Sequence, residues 1–268
     1  MVLALAGAAR GEPSARAILD RQRGLDAGVR RWSDRRARLR LEVVDPRRAP
    51  RQMELERFDK RYPTGEERTM AYVFAPDTVK GMALLAVARA DRPAEQWLFL
   101  PEAKRTRRIG GEVRKQGFVG TDVTYHDLDV LARLPSWTES DAASTLRGAA
   151  VVDGATCDVI ELTPLRDAIG YERIVVWLGR DDLIPRQVEL YETAPPNGPF
   201  GAGSGGPTRR VRQADLRTVG AIPVPHRVEV ETPDAGTKTT VIFSDVAFDQ
   251  GLPDELFSQP ALEWGRYR

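Results

Sequence analysis

From Arg36 the sequence alternates with a period of two: Ala37, Leu39, Leu41 and Val43 are interleaved with Arg36, Arg38, Arg40 and Glu42. A strand, whose successive side chains point to opposite faces, turns that pattern into one apolar and one charged surface. The pattern recurs over 52–60, where Met53 and Leu55 oppose Glu54 and Glu56. Phe58 there falls on the polar side, so a bulge or a change of face is expected near it. Over 68–75, Met70, Tyr72 and Phe74 share a face, and 82–90 is nearly all apolar, which suits burial on both faces. Short turn signals separate these runs: Asp45-Pro46, Tyr62-Pro63-Thr64-Gly65, Pro76-Asp77 and Asp91-Arg92-Pro93. Strands joined so closely, with no long helix between them, pair antiparallel.

The pattern continues with an apolar, aromatic strand from Gln96 that stops at Pro101 and a basic strand, Lys104 to Ile109. Residues 117–128, Gly-Phe-Val-Gly-Thr-Asp-Val-Thr-Tyr-His-Asp-Leu, are too glycine-rich and polar to prolong that hairpin. They form a shaped connection ending in a short helix, Tyr125 to Leu134. Leu131 to Trp137 offers an apolar surface, and Thr138 is placed to cap a short helix from Glu139 to Leu146. Asp153-Gly154 marks a hairpin between Val151-Val152 and 156–162. Further strands fall at 171–178, 184–191, 209–219, 224–231 and 238–248, and 252–262 reads as a docking turn and short helix. Ser14 is placed to cap a helix over 15–25 ahead of the first strand. Pro195 to Pro207 is a glycine-rich loop without the Gly-Lys-Ser/Thr ending of a phosphate loop.

Composition excludes more than it selects. Forty lysines and arginines face thirty-nine aspartates and glutamates, so no bulk charge argues for nucleic acid, and no aromatic-basic recognition motif is present. Cys157 is the single cysteine, which rules out an intramolecular disulfide and a cysteine zinc cluster, and its place in a strand predicts an inert buried thiol. No apolar run reaches the length of a membrane span. Residues 1–9, Met-Val-Leu-Ala-Leu-Ala-Gly-Ala-Ala, read as the end of an export signal lacking its basic start. The expected division is therefore 1–13 as signal remnant or disordered N-terminus and 14–268 as a single domain.

Trp97, Phe99 and Pro101, then Arg107 and Arg108, then Phe118, Gly120 and Asp122, then Tyr125, Asp127 and Leu128 together resemble the bacterial outer membrane lipoprotein-sorting proteins, a family similar in fold to the periplasmic lipoprotein carrier LolA. Leu252-Pro253-Asp254-Glu255-Leu256-Phe257 carries a weaker echo. Thr121 and Val123 depart from the pattern, which usually has Ser and an aromatic there. The resemblance implies a mainly β (α+β), LolA-like fold: an incomplete antiparallel barrel of about eleven strands covered by short helices. It also implies a periplasmic address, an acyl chain or lipoprotein as cargo, and an inner-membrane export system as partner. The expectation is a monomeric carrier that is not an enzyme and needs no cofactor or metal.

A half-closed sheet with an apolar inner face is a natural container for acyl chains, because each Å² of apolar area removed from water gains on the order of 25 cal/mol. The expected lining is Met53, Leu55, Tyr72, Phe74, Trp97, Phe99, Phe118 and Trp177, with Arg107 or Arg108 at the mouth beside a head group. Read by their residues alone, such strands are core, and the basic strand is a solvated edge that resists sheet addition. Period two puts Trp97 and Phe99 on one face of their strand and Leu98 and Leu100 on the other. Asp122, His126, Asp127 and Asp129 crowd together as metal ligands would, but the resemblance matches Asp122 and Asp127 and not His126, which favours helix and turn capping over a metal. No nucleophile elbow exists; Gly203-Ser204-Gly205 lies in a loop. The alternatives to a carrier are a non-catalytic interaction or sensing module in the envelope, or an enzyme using the same pocket.

Overall fold

The computed structural model describes residues 13–165, 170–192 and 206–264. The apolar N-terminus and most of the glycine-rich loop lie outside them. Ser14 caps helix α1 (Ala15–Ala27), its hydroxyl accepting the Ala17 amide at 3.2 Å. Strands β1 (Asp34–Val44), β2 (Arg51–Arg61), β3 (Glu67–Ala75), β4 (Ala83–Arg89), β5 (Arg92–Leu100) and β6 (Arg105–Ile109) form one antiparallel meander. Strands β7 (Ala142–Val152), β8 (Ala155–Pro164), β9 (Tyr171–Gly179), β10 (Pro185–Glu192), β11 (Arg209–Val219), β12 (Ile222–Thr232) and β13 (Thr237–Phe248) form a second. Pairing of β1 with β13 fuses them into a single unclosed sheet of thirteen strands, ordered β6-β5-β4-β3-β2-β1-β13-β12-β11-β10-β9-β8-β7. The expected mainly β architecture of an unclosed antiparallel sheet with short helices holds, with two more strands than the eleven expected.

The strand expected at Val151-Val152 is longer than its signal and reaches back to Ala142, into 139–146, where a short helix is expected. Thr138 does not start a helix: its hydroxyl donates to Asp141 at 2.9 Å in a tight turn, and β7 begins at Ala142. The local preference of Ala-Ala-Ser-Thr is weak, and pairing with β8 from Ala142↔Pro164 to Val152↔Ala155 decides the outcome. The hairpin turn is as expected, with Asp153 at φ 47° and Gly154 at φ 80°.

Strands β6 and β7 are consecutive in sequence yet occupy opposite edges of the sheet. The intervening residues 110–141 must therefore cross one face. That crossing carries helix α2 (Tyr125–Arg133), and α1 packs on the same face. Beneath them lie two contiguous apolar clusters. One holds Leu39, Leu41, Met53, Leu55, Val73, Leu84 and Leu98, and the other Ile160, Leu162, Ile174, Val176, Leu178 and Leu190.

On the opposite face, over β2 to β5, Phe58, Met70, Tyr72, Ala83, Leu85 and Val87 are covered by the C-terminal tail: Leu252, Leu256, Phe257 and helix α3 (Gln259–Trp264) with Ala261 and Leu262. Phe58 needs no bulge. Register between β1 and β2 runs unbroken from Asp34↔Lys60 to Val43↔Arg51, and Phe58 is apolar because the tail lies over it. Beyond the tail this face carries charge pairs, among them Arg210–Glu189 at 2.8 Å across β10 and β11 and Arg227–Glu229 at 2.7 Å along β12.

Candidate functional site: a lidded apolar face

The crossing segment sits over the centre of the sheet through polar contacts at identifiable points. Thr124 and Asp127 cap α2 reciprocally, each amide bonding the other's side chain at 2.9 Å. Asp127 also accepts the Tyr171 hydroxyl from β9, and Arg209 of β11 lies 3.5 Å from its second oxygen. Burial, and next to it the Asp127 carboxylate, push the Tyr171 phenol far above its ordinary range, so the phenol is always a donor here. His126 stacks on the same ring with centroids 5.1 Å apart.

Asp122 is a hub. Its carboxylate accepts the hydroxyls of Thr232 (2.7 Å), Thr237 and Thr239 (2.7 Å) from β12 and β13, while the Arg209 Nε donates to its carbonyl at 3.1 Å. At the other side Asp129 accepts Arg114 at 2.6 Å, Arg133 at 2.7 Å and the Ala94 amide at 3.0 Å. The three aspartates thus serve as fasteners between crossing segment and sheet, a larger role than capping. Among the described residues no group of three or more His, Cys, Asp and Glu is arranged to hold a metal ion.

Glycine is required at one point of the crossing. A Cβ at Gly117 would stand 1.9 Å from the Thr121 carbonyl oxygen, so the turn that brings Gly117 against Thr124 closes only without a side chain. Phe118, just after it, packs edge-on against Tyr125 with centroids 6.1 Å apart.

One buried polar atom beneath the crossing has no partner. Gln96 is fully buried on β5; its amide nitrogen donates to the Tyr125 carbonyl at 2.9 Å, and its Oε1 accepts nothing. Such an orphan acceptor costs about 1–3 kcal/mol. Near α1, a gap bordered by Leu19, Trp137 and Leu162 has a volume of about 10 Å³, the threshold for a single water. Beside α1, side chains therefore leave almost no free space.

The expected lining residues do not come together. Met53, Leu55 and Phe118 share the lidded cluster. Tyr72, Phe74, Trp97 and Phe99 lie on the reverse face, packed with the tail, and the Tyr72 hydroxyl donates to the Ala261 carbonyl at 3.0 Å. The alternation itself is as expected, since Leu98 and Leu100 belong to the lidded cluster. Its direction was not legible, because the sequence does not say on which face the tail docks. Arg107 lies opposite Leu98 in the β5–β6 register, whereas Arg108 pairs with Trp97 on the reverse side and bridges to Glu95 at 2.8 Å. Trp177, half-buried on β9, stands opposite Val159 and Gln187, away from Val176 and Leu178. Tyr171, Arg209 and the three threonines were missed; none of them has a local signal, since their partners are far away in sequence. Cys157 is buried, and burial raises its thiol above the usual range.

Solved structures share this fold. A LolA superfamily protein from Nitrosomonas europaea superposes with a TM-score of 0.66 at 17% identity, covering 93% of this chain and 99% of that one. A domain described as an outer membrane lipoprotein-sorting protein from Vibrio parahaemolyticus gives 0.78 at 21% identity, covering 92% and 97%. A DUF1329 family protein from Desulfovibrio piger gives 0.80 at 20% identity, covering 92% and 98%. No curated protein matches the sequence. A family model described as "Uncharacterized protein" matches residues 65–264, and the chain belongs to that family.

Proposed function

We propose that the protein is a non-catalytic carrier that holds an acyl chain between the crossing segment and the lidded face of the sheet, and that it works in the periplasm. The observation that carries this reading is the unequal construction of the face and its cover. The face is apolar across both meanders, while the crossing segment over it, which packs there through Phe118, Tyr125 and Val130, takes its polar ties to the sheet mainly from aspartate side chains. Fasteners of that kind exchange for water at a modest net cost, about 0.5–1.5 kcal/mol per hydrogen bond and up to about 3 where a charge is involved. An acyl chain entering beneath the lid gains about 0.8 kcal/mol per methylene buried. The orphan Gln96 Oε1 further favours lifting, because it finds a donor once water or a cargo amide reaches it.

In this reading Met53, Leu55, Leu98 and Phe118 touch the chain, and Arg107 stands at the edge near Tyr125. Tyr72, Phe74, Trp97 and Phe99 hold the tail. The likeness in fold to a lipoprotein-sorting domain supports the cargo class, and the same likeness supports the envelope as its place of work. Titration with a dansyl-labelled fatty acid tests it. The wild-type chain should bind saturably at micromolar levels, and Asp122→Asn, which loosens the lid, should speed binding. Absence of amphiphile binding by both proteins would reject the carrier and leave the interaction module in its place.

A further inference from the structure

A cleft of about 670 Å³ opens at the β4–β5 hairpin, at the β6 edge of the sheet. Its walls are Arg89, Arg92, Pro93, Ala94, Glu95, Arg108, Ile109, Gly110 and Arg114. Four guanidiniums from four separate segments therefore face one space that holds a single carboxylate. Glu95 is shared, with Arg108 at 2.8 Å and Arg89 at 3.2 Å, and Arg89 reaches on to Glu66 at 2.5 Å, which Arg68 also holds at 2.6 Å. Arg114 donates to the Ala94 carbonyl at 3.0 Å and to Asp129, which Arg133 shares.

Two ion-pair networks thus border the cleft, Arg68, Arg89 and Arg108 with Glu66 and Glu95, and Arg114 and Arg133 with Asp129. Arg92, on the rim, makes no hydrogen bond or ion pair among the described residues. Asp91 and Glu112, in the adjoining turns, do not line the cleft. Positive charge is in excess, and it is held in place: Arg89 and Arg114 are mostly buried, their side chains 28% and 20% exposed. Each guanidinium has five N–H donors, so those committed to carboxylates still present unused ones.

We propose that this cleft binds a phosphate group. A tetrahedral anion with several acceptor oxygens matches guanidiniums converging from different strands better than one planar carboxylate does, because each Arg can take a separate oxygen in a charge-assisted bond. The volume exceeds that of a bare anion and leaves room for whatever the phosphate is esterified to. A lipid head group and free phosphate share this chemistry. The site goes beyond the acyl-carrier reading and stands without it, since its contacts involve no apolar chain.

The test follows the arginine side-chain signals of the full chain by ¹H–¹⁵N NMR. The ligands are inorganic phosphate and dihexanoyl phosphatidylglycerol below its micelle threshold, titrated separately. Saturable shifts at Arg92 and Arg108, with binding weakened about tenfold or more in R92Q/R108Q and unchanged in Arg48→Gln of the β1–β2 turn, support the site. Saturation by phosphate alone assigns a free phosphate; saturation by the phospholipid alone assigns a head group. Both exchanged arginines are on the rim, so the double variant stays folded, and its circular dichroism verifies that. No saturable binding of either ligand into the millimolar range, or binding indifferent to the double exchange, overturns the proposal. Because inorganic phosphate has no acyl chain, this failure is separable from failure of the carrier reading.

Discussion

Asp122 and Thr239, 117 residues apart, are tied twice through one hydroxyl: Thr239 Oγ1 accepts the Asp122 amide at 2.9 Å and donates to its carboxylate at 2.7 Å. With Thr232 and Thr237 on the other oxygen, one side chain on the lid collects the start of β13 and the end of β12. Asp122→Ala strands these hydroxyls beneath the lid and should lower stability by about 3 kcal/mol in urea unfolding. Asp122→Asn, which keeps an acceptor, should lose less. Equal losses in the two variants would show that the carboxylate does not hold the hairpin.

Gln96 gives the opposite sign. Replacing it by Leu removes the orphan Oε1, a penalty of about 1–3 kcal/mol, and forfeits one bond to the Tyr125 carbonyl worth about 0.5–1.5 kcal/mol. Gln96→Leu should leave stability unchanged or raise it, and should slow uptake of a fatty-acid probe by fastening the lid. A clear fall in Tm would mean that the side chain is satisfied in solution.

The tail is a structural cover, and its removal has a measurable cost. Phe257 is 1% exposed on the cluster of Phe58, Met70 and Leu85. Phe257→Ala should destabilise by about 3–5 kcal/mol. Loosened cover over Trp97 should also shift tryptophan emission to the red. A loss below 1 kcal/mol, by the same scale, would place the tail elsewhere in solution.

Acid sensitivity should come from Asp59. It is fully buried, and burial alone would raise its carboxyl, but Arg35 and Arg57, with the Thr69 hydroxyl, outweigh that and hold it well below the ordinary carboxylate range. A group depressed in the folded state contributes stability that is complete above its unfolded value, about 3.9, and is lost as pH falls below it. Wild-type stability should fall steeply below about pH 4, and Asp59→Asn, less stable at neutral pH, should show a flatter acid limb. Parallel acid limbs would assign the loss to other carboxylates.

At the alkaline end the sign reverses through Tyr171. Its phenol is raised in the folded state, so its contribution is complete below the unfolded value of about 10 and fades as pH rises beyond it. Tyr171→Phe should cost about 1–3 kcal/mol near neutrality by leaving Asp127 short of a donor, and should lose less than wild type above pH 10. Identical alkaline slopes would exclude Tyr171 as the source.

Legibility followed range. Period two placed Leu39 with Leu41 and Trp97 with Phe99 correctly, because alternation is a property of the strand alone. Phe58 was read as a fault in its strand because the reason for it, the tail residues Leu256 and Phe257, arrives almost two hundred positions later. The same blindness put Tyr72 and Met53 into one cavity although the sheet lies between them. The aspartates of the crossing segment were visible as a cluster. Their partners Tyr171, Arg209 and Thr239 were not, since a hydrogen bond between distant positions leaves no trace in spacing.

Joining β1 to β13 has a consequence for how the chain is made. The central seam of the sheet, from Arg35↔Phe248 to Val44↔Lys238, unites strands from the two ends of the sequence. It cannot close until β13, about two hundred residues after β1, is available. Until then β1 and β12 each present a naked edge, the long-range pairing that folds slowly and invites association with other chains. A chain emerging N-terminus first therefore holds its first meander unsealed until β13 has appeared, and that one strand seals both meanders.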